Sequence, residues 1–192
     1  MNTRDITKRL AAGLFTASLG MGAMGAMAQE KDSFSIAWTI YAGWVPWQYA
    51  EDQGIMKKWA DKYDIQVDIV QVNDYIESIN QYTAGQFDGV TATSMDGLAI
   101  PSASGIDTTA LIVGDYSNGN DGLVSKDATS IGGLEDETVY LVELSVSHYL
   151  LARALASVGL EERDLSVMNI SDADLVSAFQ TDDVRHVATW NP

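Results

Sequence analysis

The chain has 192 residues, with 11 Lys and Arg against 27 Asp and Glu, a net charge of −16 and no cysteine. Such an acidic surface repels phosphate backbones and anionic lipid headgroups, which argues against nucleic acid or an anionic membrane as partner. Without cysteine there is neither a disulfide nor a lipid-modified thiol, so the folded part must hold together by core burial alone.

Arg4, Lys8 and Arg9 precede the uncharged run LAAGLFTASLGMGAMGAMA, which ends in the small-residue triplet Ala26, Met27, Ala28. This is the plan of a secretory signal peptide cleaved after Ala28, and it predicts a periplasmic, untethered protein. Gly and Ala dominate the second half of the run, so it reads as a leader rather than a membrane anchor. The leader carries +2, from those three cations against Asp5, which leaves −18 for the mature chain.

Beyond the leader, short β-rich runs alternate with amphipathic helical segments. FSIAWT (34–39) reads as a strand, VPWQYAEDQG (45–54) and IMKKWADKYD (55–64) as helices, and IQVDIVQV (65–72) as a strand. NDYIESINQYTAGQ (73–86) reads as a helix opened by Asn73 or Asp74 and closed at Gly85. The strand GVTAT (89–93), a helix from Ser94 and the strand TTALIVGD (108–115) follow. The order implies a parallel sheet with helices on its faces. A Gly, Asn and Asp-rich loop, 115–122, marks a crossing to a second unit. There GLVSK (122–126), TVYLVEL (138–144), LSVMNI (165–170) and RHVATW (185–190) read as strands; 146–159 and 172–182 read as helices. The three prolines, Pro46, Pro101 and Pro192, are placed at element edges, and Trp47 and Trp59 in the core. The predicted layout is a leader over 1–28, a first lobe over 29–118 and a second over 119–192. The last is expected to be incomplete, because the chain stops directly after a strand that reads as buried.

No motif for nucleophilic, metalloprotease or phosphate-loop chemistry is present, and there are only two histidines, His148 and His186. The acids of DADLVSAFQTDD lack calcium-loop spacing and read as a helix start capped by Ser171. No metal or cofactor is therefore expected. Open α/β sheets bind ligands where strands end and helices begin. Trp38, Thr39, Tyr41, Gly43, Trp44 and Trp47 lie at the first such junction, and Thr91, Thr93, Ser94 and Asp96 at another. Asp115 and Tyr116 follow, then Glu143, Ser145, Ser147 and His148, and finally Trp190 and Asn191. None of these groups contains Lys or Arg. Carboxylates beside Trp and Tyr suit a planar cation or a neutral amide better than an anion, so a small nitrogen-rich solute such as urea or guanidine is favoured.

The stretches SFSIAWTIYAGWVPWQYAEDQGIMKKWADKY and TATSMDGLAIPSASGID and the ending VATWNP resemble the NMT1/THI5-like solute-binding proteins of ABC transporters. Within that family the similarity is strongest to urea-transporter binding proteins. The resemblance implies a type II periplasmic binding fold: two α/β lobes closing over a ligand, no catalysis, and delivery to an inner-membrane permease by a monomer. It also implies that the 44–47 loop, Thr93 to Asp96, Asp115, Ser147 with His148, and Trp190 with Asn191 line the cleft. Two alternatives remain: capture of a small anion such as taurine, a sulfonate or nitrate, and an enzyme resembling the thiamine pyrimidine-precursor synthases. The enzyme would need a lysine for pyridoxal phosphate near the cleft and a cytoplasmic address.

Overall fold

The computed structural model describes residues 31–190, so the leader and Asn191 lie outside the described residues. The first unit is a parallel three-stranded sheet in the order β2-β1-β3, from β1 (Ser33–Trp38), β2 (Gln66–Gln71) and β3 (Gly89–Val90). Four helices accompany it: α1 (Val45–Asp52), α2 (Ile55–Tyr63), α3 (Tyr75–Thr83) and α4 (Ser94–Ala103). Central β1 ends in the buried pair Ala37 and Trp38, whereas edge strand β2 alternates half-buried Val67 and Ile69 with exposed neighbours. That is the pattern of a sheet covered on one side at its margin.

The second unit is a four-stranded sheet in the order β4-β7-β5-β6. It comprises β4 (Asp121–Ser125), β5 (Thr138–Leu141), β6 (Ser166–Asn169) and β7 (His186–Trp190), with helices α5 (Val146–Ser157) and α6 (Asp172–Phe179). Strands β5, β6 and β7 run parallel, while β4 lies antiparallel against β7. His186, Val187 and Ala188 are consecutively buried, as expected of an inner strand covered on both faces. Leu134, Val139, Leu141, Leu151, Leu155 and Ala188 form one core; Leu175, Val184 and Val187 form another beneath α6.

Helix starts follow local chemistry. Asp74, rather than Asn73, caps α3 by accepting the Glu77 N–H at 2.8 Å, while Thr93, Ser145 and Ser171 cap α4, α5 and α6. Gly85 follows α3 at φ +77°, a left-handed conformation that glycine adopts without steric cost.

Three expectations fail. Residues 108–115 form no strand: Leu111, Ile112 and Val113 are 87%, 70% and 74% exposed, and among the described residues no strand pairs with them. An apolar, β-branched run becomes a strand only where a partner takes up its N–H and C=O groups. Pro101 lies inside α4, fully buried, instead of at an edge. It has no N–H for the Gly97 carbonyl one turn back, and the Thr108 hydroxyl donates to that oxygen instead, at 3.3 Å. Neither Trp47 nor Trp59 is a core residue: Trp47 is only half-buried on α1, which buries no residue, and Trp59 is 46% exposed, stacked on Tyr63, with the Lys62 ammonium 4.6 Å from its ring centre.

Candidate functional site

Where the two sheets meet, the strand-to-helix junctions converge on Tyr75, the first residue of α3, which is only 2% exposed. Its ring centre lies 5.5 Å from that of Trp44 and 6.3 Å from that of Trp190; Trp44 in turn meets Tyr41 edge-on at 4.9 Å. A chain of four aromatics thus runs from the β1–α1 loop of the first unit to the end of β7 in the second. Ile79 and Val142 are buried in the same cluster.

The Tyr75 hydroxyl donates to Asp96 Oδ2 at 2.8 Å and accepts the Thr93 N–H at 2.9 Å. Thr93 Oγ1 donates to the same Asp96 oxygen at 2.8 Å. Burial pushes the Asp96 carboxyl above the usual carboxylate range, against these stabilising hydrogen bonds, with Asp121 adding repulsion. Tyr75 is pushed up as well, by burial and by the Asp96 charge.

Asp121, at the start of β4, accepts the Ser147 hydroxyl at 3.0 Å. Beside it the Asn120 amide donates to the Tyr41 hydroxyl at 2.9 Å. Tyr41 is raised by burial and by neighbouring Asp115. Asp115 approaches so closely that a Cβ on Gly43 would fall 2.1 Å from its Oδ2 and 2.8 Å from the Tyr41 ring. Gly43 is therefore required by close approach. Asp96, Asp115 and Asp121 thus share one aromatic-floored junction, and none of the side chains making these contacts is Lys or Arg.

At the carboxyl ends of β1 and β3, Trp38 Nε1, Thr39 Oγ1 and Thr91 Oγ1 are buried without a hydrogen-bond partner among the described residues. Trp38 and Thr91 follow the paired residues Ala37 and Val90 in register, so strand alternation puts them on one face of the sheet. Buried polar groups are normally paired, so these three carry unmet hydrogen bonds at the sheet end.

The structure brings together Tyr41, Trp44, Thr93, Asp96, Asp115, Ser147 and Trp190 of the residues expected from sequence, with Trp38 at the sheet end. Others stand apart. Tyr116 is 86% exposed, Ser94 is exposed, and Trp47 is half-buried without a described polar contact. Glu143 engages the Asn169 side chain through its own N–H, at 3.0 Å. His148 Nδ1 accepts the Leu144 N–H at 3.1 Å, which leaves Nε2 to carry the proton and meet Glu162 Oε2 at 3.0 Å. His148 lines a shallow cavity of about 230 Å³ shared with Met95 and Leu144; Leu144 holds φ +64°, unusual outside glycine.

A larger cavity, about 560 Å³, lies away from this junction between β4, β7 and the 128–134 turn. Ser125 Oγ and His186 Nδ1 meet there at 2.9 Å. The Ser125 oxygen also accepts the N–H groups of Asp127 and Ala128, so both lone pairs are taken and its proton is left for the imidazole at 2.9 Å or the Asp127 carboxylate at 3.4 Å. It is a turn cap rather than a nucleophile. No group of acids and histidines among the described residues is arranged to hold a metal ion.

Sequence reading missed Tyr75, Asp121 and Asp172. Asp172 opens α6, and its Oδ1 accepts the Tyr75 N–H of α3 at 3.2 Å. Its carboxyl is raised to about 6, chiefly by burial, with Asp74 adding repulsion. Tyr75 and Asp172 both follow strand ends, β2 and β6, so the rule that picked out the other junctions also reaches these two.

No protein-family model matches the sequence, and no curated protein matches it. Solved structures do match. The alkanesulfonate-binding protein of Xanthomonas axonopodis pv. citri, bound to MOPS, is 18% identical with a TM-score of 0.62, over 86% of this chain and 56% of that one. The periplasmic aliphatic sulphonate binding protein of Escherichia coli is 22% identical with a TM-score of 0.58, over 84% and 55%. The periplasmic nitrate-binding protein of Synechocystis PCC 6803 is 12% identical with a TM-score of 0.61, over 85% and 48%. The chain spans about half the length of the structures it matches. Its two α/β units, meeting at a shared strand-end junction, have the type II periplasmic binding fold.

Proposed function

We propose that the chain belongs to a periplasmic solute-binding protein that captures a small nitrogen-rich solute, neutral or cationic, and hands it to an ABC-transporter permease without chemical change. Urea and guanidinium are the solutes the junction suits best. The observation that carries this reading is the gathering of Asp96, Asp115 and Asp121 beside Tyr41, Trp44, Tyr75 and Trp190 with no cation among their contacts. Carboxylates accept from N–H groups and aromatic faces attract planar cations. The unpaired donors Trp38 Nε1 and Thr91 Oγ1 would suit a carbonyl oxygen, which favours urea among neutral solutes.

A second reading, capture of a small anion, is favoured by the solved structures with this fold that bind sulfonate or nitrate. It requires donors free to meet the anion. Thermal melting of the full-length protein with urea, guanidinium, taurine or nitrate, each at low millimolar concentration against matched sodium chloride, separates the two. Stabilisation by urea or guanidinium alone is expected; stabilisation by an anion alone would overturn the solute assignment.

A further inference from the structure

Leu144 stands in the turn between β5 and α5 at φ +64°, a left-handed conformation that crowds any side chain with a Cβ. Its side chain is 67% exposed, so little packing holds it there. Hydrogen bonds hold it instead, because each N–H of the turn has an acceptor. The Glu143 N–H donates to Asn169 Oδ1 at 3.0 Å, the Leu144 N–H to His148 Nδ1 at 3.1 Å, and the Ser145 N–H back to the Val142 carbonyl at 3.4 Å.

A backbone N–H can only donate, so His148 Nδ1 is the bare nitrogen of the ring and Nε2 carries the hydrogen that meets Glu162 Oε2 at 3.0 Å. Glu162, on the helical turn Glu162–Asp164, is the charged group on the ring; its neighbour Arg163 turns to Glu161 and Asp164 at 3.2 and 3.9 Å. The cavity beside the ring takes Met95 from α4 of the first unit, and Tyr149 of α5 is its other titratable lining residue. Glu143 precedes Leu144 in the turn. A second proton on the ring must go to Nδ1, where it would face the Leu144 N–H donor to donor. The Glu162 contact survives that step and gains charge, so the ring stays while the turn loses its acceptor.

The turn leads directly into the junction. Ser145 caps α5 by accepting the Ser147 N–H at 3.2 Å, and the Ser147 hydroxyl donates to Asp121 at 3.0 Å. We infer that His148 is a positioning residue: while its ring is neutral it holds the Leu144 turn, and through it the start of α5 with the Ser147 to Asp121 bond, so that acid loosens this side of the site. The effect on solute rests on reading the junction as the solute site; the coupling of the turn to the ring does not.

The test follows leucine amide resonances of the full-length protein, labelled with nitrogen-15 leucine, between about pH 8 and pH 5, where an imidazole ordinarily takes up its proton. The Leu144 resonance, assigned by its loss in Leu144→Met, should move with the same midpoint as the His148 ring protons. His148→Asn puts an amide oxygen in the place of Nδ1 and accepts without titrating, so its Leu144 resonance should hold still. Calorimetric affinity for urea or guanidinium should fall roughly threefold to tenfold in wild type over that range and far less in His148→Asn, whereas His148→Ala should bind weakly at both ends. Titration of Asp96 or Asp172 acts on wild type and His148→Asn alike, so the difference between them reports His148. A wild-type Leu144 resonance that stays put, or moves with a midpoint unlike that of the ring, would overturn the inference whether or not the variants fold. So would an equal fall in affinity in wild type and His148→Asn. Movement of the resonance with the ring, but no binding of urea or guanidinium at any pH, would sink the solute assignment and leave the coupling of turn to ring standing.

Discussion

Replacing Tyr75 by Phe removes one oxygen from the point where the two units meet and leaves the ring in its aromatic chain. That oxygen accepts the Thr93 N–H at 2.9 Å and donates to Asp96 at 2.8 Å, in a residue 2% exposed. Water has little access to replace either bond. A buried group left unpaired costs about 1–3 kcal/mol; the Thr93 N–H is so left, while Asp96 Oδ2 keeps the Thr93 hydroxyl at 2.8 Å, so the variant should lose about 1–3 kcal/mol. For a domain of this size that corresponds to a fall in melting temperature of roughly 2–12 °C. Thermal melting followed by circular dichroism is the suitable assay, because urea and guanidinium are themselves candidate ligands. A loss below about 0.5 kcal/mol would refute the view that Tyr75, Thr93 and Asp96 form a closed, dry network.

Other perturbations probe different parts of the junction. Asp172 has its folded-state carboxyl raised to about 6, above its unfolded value, so its contribution is fully present below pH 4 and is lost as pH rises through 6. Stability measured between pH 5 and pH 7.5 should therefore fall by on the order of 1 kcal/mol, after allowing for water at its partly exposed side, and Asp172→Asn should flatten that slope. An unchanged slope in the variant would locate the titration elsewhere. Gly43→Ala puts a methyl group 2.1 Å from Asp115 Oδ2 and must displace that carboxylate. It should weaken solute binding by about tenfold and also lower the melting temperature, since the Tyr41 ring, 2.8 Å from the added carbon, must shift with the carboxylate. Unaltered affinity would remove Asp115 from the site.

The alternation of β-rich and amphipathic segments was enough to find seven of the strands and six helices, because hydrophobic period and capping residues are local properties. The segment 108–115 shows where that stops. Its composition is that of a strand, but a strand is completed by a neighbour, and nothing within the run specifies one. Pro101 is a similar case: a proline inside a helix is tolerable only because Thr108 supplies the missing donor, a contact eleven residues away. At the candidate site, Asp96 and Trp190 were legible from their position at strand-to-helix junctions, whereas Asp115 was picked out as the end of a strand that does not form. Tyr75 and Asp172 sit at equivalent positions but looked like ordinary helix starts, and their roles arise only when α3, α4 and α6 are brought together. Tyr116 and Glu143 show the converse, since proximity in sequence to a junction does not turn a side chain into it.

The claim at the centre of this account is that the acidic, aromatic junction between the two units is a site for a nitrogen-rich solute. Calorimetric titration of guanidinium and urea into the full-length wild type, and into an Asp115→Asn, Asp121→Asn double variant, tests it directly. The account predicts saturable binding of at least one of the two by wild type and a loss of roughly tenfold or more in the variant. Binding of nitrate or taurine by wild type, with no heat from guanidinium or urea, would contradict it.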